Sequence, residues 1–186
     1  MDSNLIKYVH ENLSKELIEI SMSDRAGYEA GLTIYEKAII YHYTDYGYES
    51  LNEQLRSGQS ISEFGLFLNY SLDKLPNYKD LCYRTIRCSK KDLEKYYSAF
   101  RNSSIITEKS FLSCSKSRIL ALQFSDTPLF IIWSKKGKDV EKIAKFGIDS
   151  GQNEKEIIFK SGSGFKVLDI TETENENKII IILEEV

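Results

Sequence analysis

Hydrophobic residues recur at helical spacing through the first part of the chain. They return every three or four positions at the amino terminus, which predicts an amphipathic helix over about residues 4–20. The positions that form this stripe are Leu5, Ile6, Val9, Leu13, Leu17 and Ile20. Thr33 followed by Glu36 has the spacing of a capping box and predicts the start of a second helix, which Gly47 would break.

Two further helical segments precede the first proline. Apolar positions after Gly47 predict a short helix that ends near Gly58, because glycine favours helix C-termini. Ser60 and Glu63 form a second capping pair, and the apolar positions after them predict a helix that continues to Pro76. The first ~76 residues are therefore predicted to be helical.

Beyond Pro76 the pattern changes to short runs of β-branched, aromatic and apolar residues, which are typical of strands. These runs predict strands at residues 81–88, 105–107, 110–113, 129–133, 157–159, 165–170 and 179–183. Ser89 and Asp92 predict the start of one helix in this half, and residues 116–124 predict one or two helical turns. The acidic stretch from Thr171 to Lys178 is interpreted as a solvated hairpin connection.

Helices first and strands second predict an α+β fold. No internal repeat or linker is recognisable, so we expect one domain over residues 1–186, with a helical part at 1–76 and a β-rich part at 77–186. A chain of 186 residues with 41% hydrophobic residues is long and apolar enough to bury a full core.

Charge, hydropathy and cysteine spacing limit the classes of function. A formal net charge of −3 gives no reason to expect nucleic-acid binding. No apolar run reaches membrane-spanning length, and the amino terminus lacks the features of a secretory signal. The three cysteines, Cys82, Cys88 and Cys114, lack metal-ligand spacing and are expected to stay reduced. A cytosolic site of action is predicted, and a protein injected by a secretion machine would have the same features.

One stretch, Gly151–Val167, places two carboxylates ahead of an apolar run. If that run is a strand, Glu154 and Glu156 share one face, because side chains alternate along a strand. Like charges on one face repel, so a ligand or substrate is the usual reason for such a pair. The alternative is a solvated edge strand with Lys155 between two surface glutamates, and a bare Glu-x-Glu favours that alternative.

Two other polar groups interrupt the predicted strands. Arg84 lies in a strand of otherwise apolar and aromatic residues, where it is either an exposed side chain or a donor to phosphate or carboxylate. The run Ser110–Ser115 contains three hydroxyls and a thiol at a strand end. Serines there usually bond the backbone of a turn, and they can also orient a neighbouring carboxylate.

Together, the order and spacing of these groups resemble the mono-ADP-ribosyltransferases of the Arg-Ser-Glu class. An arginine in a strand precedes Phe-x-Ser-x-Ser, and Glu-x-Glu then precedes a strand and Gly-x-x-Phe-x-Val. The helical half is similar to a Tyr-Thr-x-x-x-Tyr-x-x-x-Asn-x-x-Leu-Arg segment of bacterial toxin members, at Tyr43-Thr44, Tyr48, Asn52 and Leu55-Arg56. Ala121-x-x-Phe124 also fits, and the resemblance runs from Tyr35 to Val186. Residues 1–30 would be a lead-in that varies among members.

This resemblance implies an NAD co-substrate, no metal, and N-terminal helices packed on a mostly antiparallel β core. Arg84 would contact the NAD phosphates, and Ser113 would hydrogen-bond Glu156. Glu156 would bind the 2′-hydroxyl of the nicotinamide ribose and stabilise the oxocarbenium ion as nicotinamide leaves. Glu154 would position and deprotonate the acceptor guanidinium.

The walls of the NAD site are also implied by the resemblance. Tyr43, Tyr48 and Asn52 would line an NAD cleft from the helical side, and Phe124 would support the nicotinamide. The loop ahead of Glu154, from Phe146 to Asn153, would recognise the acceptor.

The chain departs from the family pattern at two positions. Cys114 lies where the family usually has threonine, and Thr85 follows Arg84 where glycine or arginine is usual. Arg87 is an alternative phosphate contact.

The implied chemistry is physically consistent. Positive charge develops on the ribose as the glycosidic bond breaks, and a carboxylate directed at that charge lowers the barrier. A guanidinium is nearly always protonated, so a second carboxylate is needed to orient it and accept a proton. Family members with glutamine at the first position usually modify other acceptors, so Glu154 favours arginine.

The leading hypothesis is therefore a protein-arginine ADP-ribosyltransferase of the toxin or effector type. Its partners would be NAD and a protein acceptor, without nucleic acid or membrane. An NAD glycohydrolase on the same fold is one alternative. A degenerate domain that binds without turnover is another, and the intact Arg84, Ser113 and Glu156 count against it. A host or immunity partner stays an open expectation.

Overall fold

The computed structural model describes residues 3–87, 89–125, 127–173 and 178–186. The helices of the amino-terminal part are α1 (Ser3–Asn12), α2 (Ser14–Ser21), α3 (Ile34–His42), α4 (Tyr48–Arg56) and α5 (Glu63–Asp73). A 3₁₀ turn at Asp24–Ala26 lies between α2 and α3, and a π turn at Tyr43–Gly47 joins α3 to α4. None of the helices in the described ranges has the length and apolar character needed to span a bilayer.

Helix α3 is the centre of this helical part, since it packs against α1, α2 and α5. Its predicted capping box is confirmed. Thr33 Oγ1 accepts a hydrogen bond from the backbone N–H of Glu36, and the Glu36 carboxylate accepts one from Thr33 N at 2.8 Å. Both bonds satisfy N–H groups that the first helical turn leaves without partners.

Three predicted helix boundaries were wrong. The single helix predicted over residues 4–20 is two helices, because Leu13 leaves helical geometry at φ −130°. Ser62, not Ser60, caps α5, and its hydroxyl accepts from Gly65 N at 3.3 Å. Gly47 does not break the chain, which continues from the π turn into α4. A Cβ at Gly47 would lie 2.6 Å from the His42 ring, so the glycine serves close packing there.

The carboxyl-terminal part carries the strands and two helices. Its helices are α6 (Lys90–Asn102), whose Ser89–Asp92 capping box is confirmed, and the short α7 (Arg118–Ala121). The strands are β1 (Asn77–Tyr78), β2 (Leu81–Thr85), β3 (Ile105–Thr107), β4 (Leu112–Ser115), β5 (Leu129–Trp133), β6 (Gly137–Asp139), β7 (Glu156–Phe159), β8 (Gly164–Thr173) and β9 (Lys178–Glu185).

Within the described ranges, these strands form a nine-stranded sheet in the order β1-β6-β7-β4-β2-β5-β9-β8-β3. Strand β2 pairs antiparallel with β4 and β5, and β8 pairs antiparallel with β3 and β9. The pairing of β5 with β9 is parallel. The predicted α+β class with a mostly antiparallel sheet is therefore confirmed.

Strand positions were mostly predicted correctly. Strand β4 begins two residues later than the predicted run at 110–113, and β2 ends three residues earlier than the run at 81–88. The short strands β1 and β6 were not predicted, because segments of two or three residues are too short to show alternation. The acidic connection is a hairpin between β8 and β9, and residues 174–177 lie outside the described residues.

The chain divides into two compact units by its contacts. The helical unit comprises Met1–Pro76 and Lys138–Glu156, and the sheet unit comprises Asn77–Gly137 and Ile157–Val186. Residues 140–155, which we call the 140–155 loop, therefore belong to the helical unit although they lie between strands β6 and β7 in sequence. Its apolar residues Val140, Ile143 and Ala144 are fully buried.

In the sheet unit, one face of the sheet packs against α6. Leu93, Tyr96 and Ala99 of that helix are buried in a core with residues of the central strands. The rings of Tyr96 and Phe130 lie 5.0 Å apart. This burial holds the strands that carry Arg84 and Ser113.

Candidate active site

The two motif glutamates do not alternate along one strand. Strand β7 begins at Glu156, and Lys155 before it has a φ of 52°, in the left-handed region that L-residues seldom adopt. The Lys155 N–H donates to Asn153 Oδ1 at 2.9 Å, which supports this conformation. The prediction that strand alternation places Glu154 and Glu156 on one face was therefore wrong, because Glu154 lies in the loop.

Both carboxylates influence a third residue, Tyr48. Burial is the main cause that raises the pKa of the Tyr48 hydroxyl, followed by the adjacent charge of Glu49. The negative charges of Glu154 and Glu156 raise this pKa further, so both carboxylates lie near the phenol. The helical unit therefore brings together three residues that the resemblance assigned to catalysis and NAD binding.

The environments of the two carboxylates differ. Glu156 is 7% exposed at the start of a strand, whereas Glu154 is half-buried in the loop. Burial raises the pKa of the Glu154 carboxyl group, since desolvation disfavours its charged form. A raised pKa makes this carboxylate a stronger base than an ordinary surface glutamate.

Backbone contacts within the 140–155 loop hold Glu154 in place. The Glu154 N–H donates to the carbonyl of Phe146 at 2.8 Å, and Asn153 Nδ2 donates to the Glu141 carboxylate at 2.6 Å. A Cβ added at Gly147 would lie 1.9 Å from the backbone oxygen of Glu141, so only glycine fits this turn. The close turn at Gly147 gave no signal in the sequence beyond a lone glycine.

The π turn organises the tyrosines of the helical unit. It spans Tyr43–Gly47, and its wider spacing brings Tyr43 and Tyr48 into an edge-on contact with ring centroids 6.4 Å apart. Asn52 Nδ2 donates to the Tyr43 hydroxyl at 3.2 Å. Tyr43 is fully buried and Asn52 is 7% exposed, whereas Tyr48 is 43% exposed. Tyr43 and Asn52 therefore form an interior pair that supports Tyr48.

In the sheet unit, Arg84 and Ser113 lie on neighbouring antiparallel strands. Arg84 Nη1 donates to the backbone carbonyl of Ser113. Arg84 Nε is buried and has no hydrogen-bond partner among the described residues. A buried donor without a partner costs about 1–3 kcal/mol, a cost that a bound acceptor would offset. Arg87 is exposed beyond the end of β2.

The departures from the family pattern have structural explanations. Thr85 is 6% exposed, and its hydroxyl donates to the carbonyl of Ala121, which joins β2 to α7. Cys114 is buried beside Cys82, and a hydrogen bond between the two thiols together with burial raises the pKa of Cys82. Both cysteines are free and buried. Cys88 lies outside the described residues.

Phe124 follows α7 and is 58% exposed, so its side chain is available to a ligand. The described residues contain no group of three or more histidine, cysteine, aspartate or glutamate side chains that could hold a metal ion.

Sequence patterns gave no indication of Arg25, a buried arginine that donates hydrogen bonds to the 140–155 loop. No motif surrounds it, and its partners are more than a hundred residues away in the chain.

The sequence is similar to one curated bacterial protein. It is 34% identical over 149 residues to "Putative NAD(+)--arginine ADP-ribosyltransferase Mav" of Mycobacterium avium (strain 104). That match covers 77% of this chain and 17% of the relative, so the chain spans about a sixth of the relative's length. No protein-family model matches the chain.

Two solved structures share the fold. The ADP-ribosyltransferase HopU1 of Pseudomonas syringae pv. Tomato DC3000 has a TM-score of 0.77 at 20% identity, covering 94% of this chain and 87% of its own. Exoenzyme S of Pseudomonas aeruginosa, in complex with human 14-3-3 protein beta and bound to Carba-NAD, has a TM-score of 0.80 at 18% identity. That match covers 100% of this chain and 88% of the other. The predicted resemblance to ADP-ribosyltransferases and the predicted fold are confirmed.

Proposed function

We propose that this protein transfers ADP-ribose from NAD to an arginine side chain of a protein acceptor. The observation that carries the proposal is the placement of Glu154 and Glu156 two residues apart, with one carboxylate buried at the start of a strand and the other half-buried in a loop. Two carboxylates in different environments can take two roles in one reaction. The name of the Mycobacterium avium relative, which specifies arginine, supports the choice of acceptor.

Glu156 would act on the bond between nicotinamide and ribose. As that bond breaks, the electron pair leaves with nicotinamide and the ribose becomes an oxocarbenium ion. A carboxylate that is only 7% exposed stabilises this positive charge more strongly than one in water. Its position at the start of β7 supports the role, because a strand holds a side chain more rigidly than a loop.

Glu154 would act on the acceptor. A guanidinium nitrogen attacks the ribose carbon, and a proton must leave that nitrogen as the new bond forms. The raised pKa of Glu154 makes its carboxylate a stronger base for this proton. The acceptor's positive charge would also stabilise the ionised Glu154 once it docks.

Arg84 would hold the NAD phosphates. Its Nη1 is already bonded to Ser113, and its Nε is a buried donor without a partner among the described residues. Phosphate oxygens are strong acceptors for a guanidinium, so bound NAD would offset the cost of that donor. Tyr48, Ser113 and Phe124 keep their predicted roles around NAD as part of this proposal. Tyr43 and Asn52 are buried, so they would support the wall of the NAD site and not contact NAD.

A toxin or effector role is part of this proposal, supported by the fold shared with the type III effector XopAI of Xanthomonas axonopodis pv. citri and with the Vis toxin of Vibrio splendidus. A protein acceptor follows from the proposed reaction. A host or immunity partner and the route of delivery stay predictions.

The test is incubation of the protein with labelled NAD and a cell lysate. Labelled protein is the expected result, and hydroxylamine, which removes ADP-ribose from arginine, should release the label. Free ADP-ribose without labelled protein would indicate an NAD glycohydrolase. If neither product forms, the domain does not turn over NAD and the proposed function is wrong.

Glu156→Gln is the variant that tests whether this activity depends on the candidate active site. It should lower NAD cleavage by roughly 10²–10³, because it removes a preorganised charge without changing shape. Glu53→Gln is the matched control, since Glu53 is an exposed glutamate on α4. Near-normal nicotinamide release from Glu156→Gln would contradict the assignment.

A further inference from the structure

The Arg25 side chain is buried against the 140–155 loop. Arg25 lies in the 3₁₀ turn Asp24–Ala26 and is 8% exposed. Its Nε donates to the carbonyls of Ile143 at 3.2 Å and Ala144 at 3.3 Å. Its Nη2 donates to the carbonyls of Ala144 at 3.2 Å and Lys145 at 3.4 Å. One guanidinium thus satisfies three consecutive carbonyls of a segment without regular secondary structure.

The third guanidinium nitrogen reaches further along the same loop. Arg25 Nη1 lies 3.6 Å from Asp149 Oδ2, and the guanidinium carbon lies 5.3 Å from the centre of the Tyr41 ring. Asp149 belongs to the segment from Phe146 to Asn153 that the sequence resemblance assigns to acceptor recognition. Arg25 therefore joins the buried start of the loop to its recognition segment.

A second set of contacts fixes the loop beside Arg25. The Lys145 N–H donates to Thr44 Oγ1 at 2.8 Å, and Lys145 Nζ lies 3.0 Å from the Glu19 carboxylate. Hydrogen bonds with Tyr41 and Glu19 raise the pKa of the Lys145 ammonium group, so it stays charged. Thr44 belongs to the π turn that carries Tyr43.

We propose that Arg25 is a positioning residue for the arginine-transfer reaction, acting through the 140–155 loop on Glu154. This inference rests on the proposed function. The path is short: Arg25 holds residues 143–145 and Asp149, and Phe146 between them accepts the hydrogen bond from Glu154 N. Glu156 lies at the start of strand β7, and its backbone carbonyl accepts a hydrogen bond from Val140 N at 3.1 Å, ahead of the residues that Arg25 contacts. Weakening the contacts of Arg25 therefore displaces Glu154, the carboxylate that acts on the acceptor. It leaves Glu156, the carboxylate that acts on NAD, in place.

The size of the expected effect follows from geometry. A misplacement of about 1 Å in a positioned group costs roughly 10²-fold in rate. Arg25→Lys keeps the charge near Asp149 but loses the planar set of donors to three carbonyls. We expect it to lower transfer to agmatine by roughly tenfold or more at saturating NAD. The rate of NAD hydrolysis without acceptor should stay close to that of the unaltered protein.

Asp149→Asn provides a second variant in case Arg25→Lys does not fold. The Asp149 side chain is 24% exposed, and the substitution removes only the ionic contact with Arg25. We expect Asp149→Asn to lower the transfer of ADP-ribose to agmatine by less than Arg25→Lys does. Arg101→Lys is the matched control, because Arg101 pairs with Glu94 on the exposed face of α6.

Amide hydrogen exchange supplies a readout that is independent of turnover. Exchange in residues 146–154 should accelerate in Arg25→Lys and Asp149→Asn, while exchange in β7 and β8 stays unchanged. If exchange in the loop does not change, or if transfer and hydrolysis fall together, the inference is wrong. If exchange in the loop accelerates in the variants but the unaltered protein does not transfer ADP-ribose, the proposed function is wrong. The contact of Arg25 with the loop is then confirmed on its own.

Discussion

The backbone N–H of Glu154 donates a hydrogen bond to the carbonyl of Phe146 at 2.8 Å. This bond joins the two ends of the predicted acceptor-recognition segment. The position of Glu154 therefore depends on how the 140–155 loop folds, whereas Glu156, two residues later, begins strand β7 and is bonded to the loop through Val140 N at 3.1 Å. The two carboxylates of one short motif have different structural supports.

Glu154→Gln should abolish transfer to arginine and retain measurable NAD hydrolysis. The amide cannot accept the acceptor's proton, whereas Glu156 and the NAD contacts do not depend on the Glu154 charge. Both activities are measured on one preparation with agmatine as the acceptor. If both fall together, Glu154 belongs to the cleavage machinery, and if neither falls, Glu154 is not the group that activates the acceptor.

The raised pKa of Glu154 predicts the pH dependence of transfer. The ratio of transfer to hydrolysis should rise with pH through a value above the ordinary glutamate pKa of about 4.3, because only the ionised carboxylate accepts the proton. The measurement is that ratio across acidic and neutral buffers. A ratio that is constant with pH would exclude Glu154 as the base.

The same pKa shift predicts that Glu154→Gln stabilises the protein at neutral pH. The folded-state pKa is raised, so between the unfolded and folded pKa values the folded chain binds more protons. Ionising Glu154 lowers the free energy of unfolding. This loss is absent below the pKa that Glu154 has in the unfolded chain, and it grows as pH rises through the pKa that Glu154 has in the folded protein. Thermal unfolding should therefore show a gain for Glu154→Gln at pH 7 that vanishes in acid.

Arg84→Ala should weaken NAD binding by about 1.5–3 kcal/mol, the usual contribution of hydrogen bonds to charged groups. Titration calorimetry on the protein and the variant measures the loss directly. Arg87→Ala is the comparison, since Arg87 is exposed beyond the end of the same strand. A loss with Arg87→Ala and none with Arg84→Ala would move the phosphate site to Arg87.

Gly147→Ala should destabilise the protein by about 1–3 kcal/mol, the usual cost of forcing extra volume into a packed site. The new Cβ would lie 1.9 Å from the backbone oxygen of Glu141, so the loop must shift. Gly151→Ala is a control in the same loop, because a Cβ there meets nothing within 4 Å. Equal unfolding midpoints for the two variants would contradict the described turn.

The sequence by itself determined the elements whose signals are local. Helices α3 and α6 follow from capping boxes at Thr33–Glu36 and Ser89–Asp92, and β5 follows from a continuous apolar run. The motifs around Arg84, Ser113 and Glu156, together with the Tyr43–Arg56 segment, carried the resemblance to ADP-ribosyltransferases, and that resemblance implied the fold. The capping boxes and the apolar run are readable because residues close together in the chain determine them.

Only the tertiary structure decided how the candidate site is held. The left-handed conformation of Lys155 and the π turn at Tyr43–Gly47 have no local sequence signal. The contact between Arg25 and Ile143 joins residues 118 positions apart. Buried carbonyls of an irregular loop must find donors, and the chain's path alone determines which distant side chain supplies them.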